Sequence, residues 1–366
     1  SSLLLPPSTK PCSDSNASRL VWPATVIRET HRRQHQTTRA LHLARTLPFR
    51  PWVERGRFKA DRERINFDEW PFLGDIYDLV PSSPEELPDF SFVLMCAAQC
   101  GKSIFMMMAA LWLLLRIDEL RAAYYLPTDQ KAADFSQNRF IRLARENPGI
   151  HRLMGDPETP HERKVVDEGQ TSVRRFLRSL LYFFSLMGKI ATESNPLDAL
   201  FFDEVQDMPI AKIEKAHERL GASRLRLTMF GSTAMFEGSD IDYWFQRSDQ
   251  RHFHTKCLCE DGVILAQCWD PRAGPTCIDR GNGTTPGVPR EWFYVCPTCK
   301  TLIPDPQVGR FVVHRPTLTA TRKGVSFPQM LSPRQTPTSI LNKWRTRVSV
   351  QNFFGRVLGR AYTDPN

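Results

Sequence analysis

Three short stretches carry the residues best suited to chemistry. CAAQCGKS ends in Gly101, Lys102 and Ser103, ALFFDE ends in Asp203 and Glu204, and LRLTMFGST ends in Ser232 and Thr233. Gly-Lys-Ser between a buried strand and an apolar helix is the second half of the phosphate-loop pattern G-x-x-x-x-G-K-[ST]. There the backbone N–H groups, here those of Gln99, Cys100, Gly101, Lys102 and Ser103, face phosphate oxygens at a helix N-terminus. Lys102 would reach the β- and γ-phosphates of ATP, and the Ser103 hydroxyl would bind Mg2+. Cys96 stands where the pattern has its first glycine. That glycine only eases the exit from the strand, and Cys96, Ala97 and Ala98 are all small.

Two adjacent carboxylates at the end of an apolar strand are costly unless a cation or a task keeps them there. Asp203 would complete the Mg2+ site, and Glu204 would polarise the attacking water. Ser232 and Thr233 end the next strand with small polar groups, suited to sensing the γ-phosphate and coupling hydrolysis to movement.

Six of the nine cysteines crowd between positions 257 and 299. Clustering of that kind points to metal more than to disulfides. Cys296 and Cys299 form a C-x-x-C knuckle after the aromatic run EWFYV, a good half of a zinc ribbon. The other half, Cys257 and Cys259, is a C-x-C, one residue short of the usual spacing. The expected structural zinc ligands are Cys257, Cys259, Cys296 and Cys299. His254 is an alternative for one of the first two, and Cys268 and Cys277 are spare candidates.

The elements that must position these groups alternate. Strands are expected at residues 91–98, 121–127, 199–204 and 225–233, with helices at 103–116, 129–148 and 210–221. Such alternation predicts an α/β fold, a P-loop NTPase parallel sheet flanked by helices, with a small zinc-ribbon-like insert. The expected divisions are a basic arm, flexible or weakly helical around Leu41, Leu43 and Leu47 (1–50), the ATPase core (51–255), the insert (256–304) and a C-terminal part of the ATPase region (305–366). Hydrophobic residues make up 41% of the 366, ordinary for a globular chain, and the net charge of +9 suits nucleic acid. The arm and the basic stretch RKVVDEGQTSVRRFLRS are read either as phosphate contacts or as solvated charge. The apolar run from Ile104 to Leu115 is shorter than the about 20 residues that span a bilayer, so no membrane partner is expected.

With these residues in hand, the chain from about Trp52 onward resembles the large terminase subunit of tailed bacteriophages, in its lambda-like branch. CAAQCGKS resembles that family's deviant Walker A, which commonly lacks the first glycine. LFFDEVQDMP resembles its Walker B, FGSTAMFEGSDIDYWF its coupling motif, YYLPTDQKAADFS the strand and helix after the phosphate loop, and NFFGRVLGRAYTDP the segment closing the ATPase region. The resemblance implies ATP-driven packaging of double-stranded viral DNA into a procapsid. It also implies a homo-oligomeric ring at the portal protein, a small terminase subunit that delivers DNA, and a place in the cytoplasm of the infected host cell. The family continues into a nuclease domain whose acidic residues have no counterparts here, so no endonuclease activity is expected of this chain. The alternatives are a non-catalytic DNA-binding scaffold with a degenerate phosphate loop and a zinc ribbon, and a helicase-like ATPase outside packaging.

Overall fold

The computed structural model describes residues 24–155, 172–188, 196–259, 261–281, 291–318 and 321–364. Its centre is a nine-stranded sheet. In chain order the elements used below are β1 (Ser91–Cys96), β2 (Arg121–Leu126), β3 (Val173–Phe176), β4 (Ser179–Ser185), β5 (Ala199–Asp203), β6 (Leu227–Ser232), β7 (Arg251–Thr255), β8 (Ile278–Arg280), β9 (Trp292–Val295), β10 (Leu302–Ile303), β11 (Gly309–Val313) and β12 (Arg322–Phe327). The strand order is β11-β7-β12-β1-β6-β5-β2-β4-β3. Neighbours from β7 to β4 run parallel, and only the edge strands β11 and β3 are antiparallel.

The apolar runs explain the middle of the sheet. Every residue of β5 is buried, and in β1 only Ser91 is not. Strands covered on both faces read as continuous hydrophobic stretches rather than alternating ones. The helix α1 (Ala24–Thr46) precedes the sheet, and α2 (Lys102–Arg116) follows β1 directly. Phe105 to Leu115 of α2 are all buried, so the long apolar run is a core helix, as expected. Among the described residues no helix is long and apolar enough to cross a membrane.

The arm expected over residues 1–50, flexible or weakly helical, is helical from Ala24 onward; residues 1–23 lie outside the described part. The physical reason is packing: Ala40 and Ala44 are buried in the main core, with Leu41, Leu43 and Leu47 partly buried against it. Arg116, at the C-terminal end of α2, ties the two helices together. Its guanidinium donates to the carbonyls of Ala44 and Leu47, both at 3.1 Å.

Five strands of the main sheet escaped sequence reading. β3 and β4 form an edge hairpin, and β3 comes from the basic stretch read either as a phosphate contact or as solvated charge, of which residues 163–171 lie outside the described part. There Arg174 is buried, and its Nε donates to Ser136 Oγ at 3.2 Å, so it faces inward and not toward a polyanion. β7 lies at the end of the expected core. β11 and β12 come from the C-terminal part, and β12 lies beside β1. The cysteine-rich insert is therefore a long excursion between two paired strands, β7 and β11. It has an apolar core of its own, which includes Leu265, Trp269, Cys277 and Tyr294 and continues into Trp344 and Phe353 of the C-terminal segment. Trp269 meets Phe353 at a ring separation of 4.8 Å.

Candidate functional site

The stretch Ala97–Gly101 leaves the C-terminal end of β1 and enters α2. Cys96 is the last strand residue, fully buried, and it pairs with Phe327 of β12. The two residues that take left-handed backbone are Gln99 (φ 60°) and Gly101 (φ 79°). The bend is thus made after the position where the usual pattern has its first glycine, which accounts for the tolerance of Cys96. A Cβ at Gly101 would meet only Leu73 Cδ1 at 3.8 Å, so conformation rather than crowding asks for glycine there. Alternating backbone handedness of this kind turns N–H groups to one side and makes an anion-binding concavity. The first turn of α2 carries no acidic residue and no side-chain cap, which leaves its N–H groups available. Burial pushes the Cys96 thiol up to about 11 and the Cys100 thiol higher still, so both are neutral packing groups.

The loop is braced from a distant part of the chain. Ala97 N–H donates to the Phe327 carbonyl at 3.1 Å, and Ala98 N–H to the Arg356 carbonyl at 2.8 Å. Gln329 Nε2 donates to the Ala98 carbonyl at 2.8 Å, and Lys343 Nζ donates to Gln329 Oε1 at 2.7 Å. Gly359, with φ 65°, lies so close that a Cβ would sit 2.5 Å from the Phe327 carbonyl oxygen and 2.8 Å from Ala97 N. Sequence reading missed this brace because its members are far apart along the chain, 231 positions for Gln329 and Ala98.

Asp203 ends β5, two strands from β1, and is fully buried. Its carboxylate accepts from Tyr124 Oη at 2.8 Å and from Glu204 N–H at 3.0 Å, and the Ser103 hydroxyl lies near enough to act on it. Burial raises its pKa, while the Lys102 charge and the hydroxyl hydrogen bonds of Tyr124 and Ser103 oppose that shift. The Lys102 charge and the Ser103 hydroxyl thus both act on the Asp203 carboxylate. Glu204 takes left-handed backbone (φ 64°) and turns away to Lys131, whose Nζ lies 2.5 Å from Glu204 Oε2 and 3.0 Å from Asp207 Oδ2. Burial works against the Lys131 charge, but its hydrogen bonds to the two carboxylates prevail and its pKa is raised. Ser232 is fully buried at the end of β6. Its hydroxyl accepts from Gln206 N–H at 3.0 Å and also meets Gln206 Oε1, so it ties the β6 end to the turn after Glu204. Thr233 follows it, buried, with its carbonyl 2.8 Å from Ser232 Oγ.

The sulfurs of Cys257, Cys259, Cys296 and Cys299 all lie within 4.8 Å of one another, a group able to hold a metal ion. Cys296 and Cys299 occupy the turn between β9 and β10, closed by Lys300 N–H donating to the Cys296 carbonyl at 3.0 Å. The C-x-C half reaches the same point: Cys259 Sγ is 3.7 Å from Cys296 Sγ. Hydrogen bonds from Thr301 bring the Cys299 thiol down to about 5. His254 is not in this group, and neither are Cys268 and Cys277. The Cys277 thiol is buried, and it points at the Leu265 carbonyl, 3.9 Å away. Four thiols leave no open position, which fits a structural ion of soft-ligand preference.

The family model described as phage terminase large subunit gpA, ATPase domain, matches residues 60–314. The chain belongs to that family. Among solved structures, an ATPase-domain mutant of the Thermus phage P74-26 large terminase shares 12% identity at a TM-score of 0.45, over 74% of this chain and 89% of that one. A large terminase from a thermophilic bacteriophage, in complex with ATP-gamma-S, shares 17% identity at a TM-score of 0.33, over 46% of this chain and 38% of that one. No curated protein matches the sequence. In this terminase ATPase domain the residues that sequence reading did not single out are Tyr124, Lys131 and Gln329. Each touches the site through its side chain alone, and nothing in the local pattern marks it.

Proposed function

We propose that this chain is the motor part of a terminase, coupling ATP hydrolysis to the movement of double-stranded DNA into a procapsid. The observation that carries the reading is the convergence of Lys102, Ser103 and the buried Asp203 beside a left-handed loop at the N-terminus of α2. A buried carboxylate, a hydroxyl and an ammonium are a donor set suited to Mg2+ and triphosphate together. Gln99 to Ser103 bind the phosphates through backbone N–H groups and Lys102. Asp203 and Ser103 hold Mg2+, which supplies charge neutralisation for the transferring phosphoryl group. Glu204, once clear of Lys131, orients and deprotonates water. Ser232 connects that turn to β6, and with Thr233 passes the state of the site along the sheet. Cys257, Cys259, Cys296 and Cys299 hold a structural zinc.

Family membership supports the remaining parts: a ring of copies at the portal, a small terminase subunit as DNA donor, and action in the cytoplasm of an infected cell. The test is steady-state ATP hydrolysis with and without double-stranded DNA, beside Lys102→Ala and Glu204→Gln. Hydrolysis that rises with DNA and is lost in both variants, with nucleotide still bound by Glu204→Gln, is the expected result. A folded protein that binds no nucleotide would be the DNA-binding scaffold instead.

A further inference from the structure

Three histidines meet at the base of the cysteine module, outside its four-thiol group. His254 lies on β7, the strand that leads out to Cys257 and Cys259. His314 follows β11, the strand that returns from Cys296 and Cys299. Their Nε2 atoms are 3.1 Å apart, although 60 residues separate them. His252 packs edge-on against His314, with ring centroids 4.9 Å apart and planes at 83°.

The second nitrogen of His254 settles its tautomer. Nδ1 lies 2.6 Å from the Asp261 carbonyl oxygen, and a carbonyl only accepts. Nδ1 therefore carries the proton, and the Nε2 lone pair of the neutral ring points at His314. A backbone carbonyl on the distal nitrogen is the usual way a metal-binding imidazole is oriented and made more basic. Two nitrogens on one ion at 2.0–2.1 Å sit roughly 2.9–3.3 Å apart for bond angles from square to tetrahedral. The observed 3.1 Å falls inside that range. His314 is exposed, so it can exchange its Nε2 proton for one on Nδ1 through water and present a second lone pair, with no net proton released.

We propose that His254 and His314 form a second metal site, distinct from the four-cysteine group, for a divalent late-transition ion of the zinc type. Imidazole nitrogens suit zinc, nickel and copper. Two protein ligands and an exposed edge leave the other positions to water, so the ion binds more weakly than at four thiolates. Its placement gives it a structural consequence. The ion cross-links the outgoing strand to the returning one, and through Asp261 it also fixes the loop that carries Cys257 and Cys259. It clamps the module where it joins the main sheet.

The test is zinc stoichiometry on the full, thiol-reduced chain by equilibrium dialysis against buffered free zinc. The intact chain is expected to bind one equivalent more than the His254→Ala/His314→Ala double variant, and each single variant should lose that same equivalent. A Cys259→Ser chain should keep it, which separates this site from the cysteine site. Equal zinc in the double variant and the intact chain overturns the proposal. A measurement without substitutions guards against misfolding: diethyl pyrocarbonate labelling of the intact chain, mapped by peptide mass. Zinc should protect His254 and His314 and leave the exposed His42 labelled as before. Unchanged labelling of His254 and His314 overturns the proposal independently of any variant.

Discussion

Tyr124 Oη donates a 2.8 Å hydrogen bond to Asp203 Oδ2 from the neighbouring strand, with both groups fully buried. The phenol holds the carboxylate at the point where Ser103 also reaches it. Removing the hydroxyl leaves a buried charge short of one donor, a loss of about 1–3 kcal/mol. Tyr124→Phe should therefore slow ATP hydrolysis by about tenfold, equivalent to about 1.4 kcal/mol. It should also raise the Mg2+ concentration needed for half-maximal rate. A magnesium titration of the hydrolysis rate checks it, and an unchanged midpoint would remove Tyr124 from the site.

Asp203 also sets a trade between stability and activity. Burial raises its pKa in the fold, so folding favours its protonated form, and that stabilisation is lost as pH rises through the folded value. At neutral pH the buried charge is a cost that an amide avoids. Asp203→Asn should melt at a higher temperature than the parent at pH 7 without nucleotide, while losing hydrolysis. The gap should narrow as pH falls toward the ordinary carboxyl range. Thermal unfolding across pH measures both.

Lys131 holds Glu204 and Asp207 in one ion-pair cluster. All three side chains are partly exposed, so the cluster adds little to stability, about 0–1 kcal/mol. Its consequence lies in where Glu204 points. Lys131→Met should raise hydrolysis in the absence of DNA severalfold and leave nucleotide affinity and melting temperature nearly unchanged. A fall in rate would mean that Lys131 positions Glu204 instead of restraining it.

Cys96 occupies a strand position with ordinary backbone, zipped to β12. Restoring the glycine of the usual pattern should not improve nucleotide binding. Cys96→Gly should destabilise the fold by about 1–3 kcal/mol, through a lost buried side chain and a looser strand. Denaturant unfolding and nucleotide affinity, measured on the same sample, decide this.

Gly359 is the tightest point of the brace behind the phosphate loop. Its left-handed backbone and the short approach to Phe327 and Ala97 leave no room for a methyl group. Gly359→Ala should cost about 2 kcal/mol or more and weaken nucleotide binding, whereas Gln329→Ala, which removes one hydrogen bond to the loop, should weaken it less. Parent-like nucleotide affinity in both variants would show that the loop holds its shape unaided.

What the sequence determined by itself is what short segments carry. Lys102 and Ser103 are neighbours on one helix start, Asp203 and Glu204 end one apolar run, and Cys296 and Cys299 share one turn. Buried parallel strands such as β1 and β5 must be apolar throughout, so they announced themselves. β12 did not, because RKGVSF has too few apolar residues to read as a central strand, and it finds its place only by pairing with β1 and β7. The helix over 24–46 was only half legible: Leu41, Leu43 and Leu47 hint at helical spacing in a basic segment, and the packing of Ala40 and Ala44 on the core settles it. Tertiary structure alone decided which distant side chains attend the local motifs: Tyr124 on Asp203, Lys131 on Glu204, Gln329 on the phosphate loop, His314 on His254. Their hydrogen bonds depend on strand order and on the crossing of far segments, and neither leaves a periodic mark along the chain.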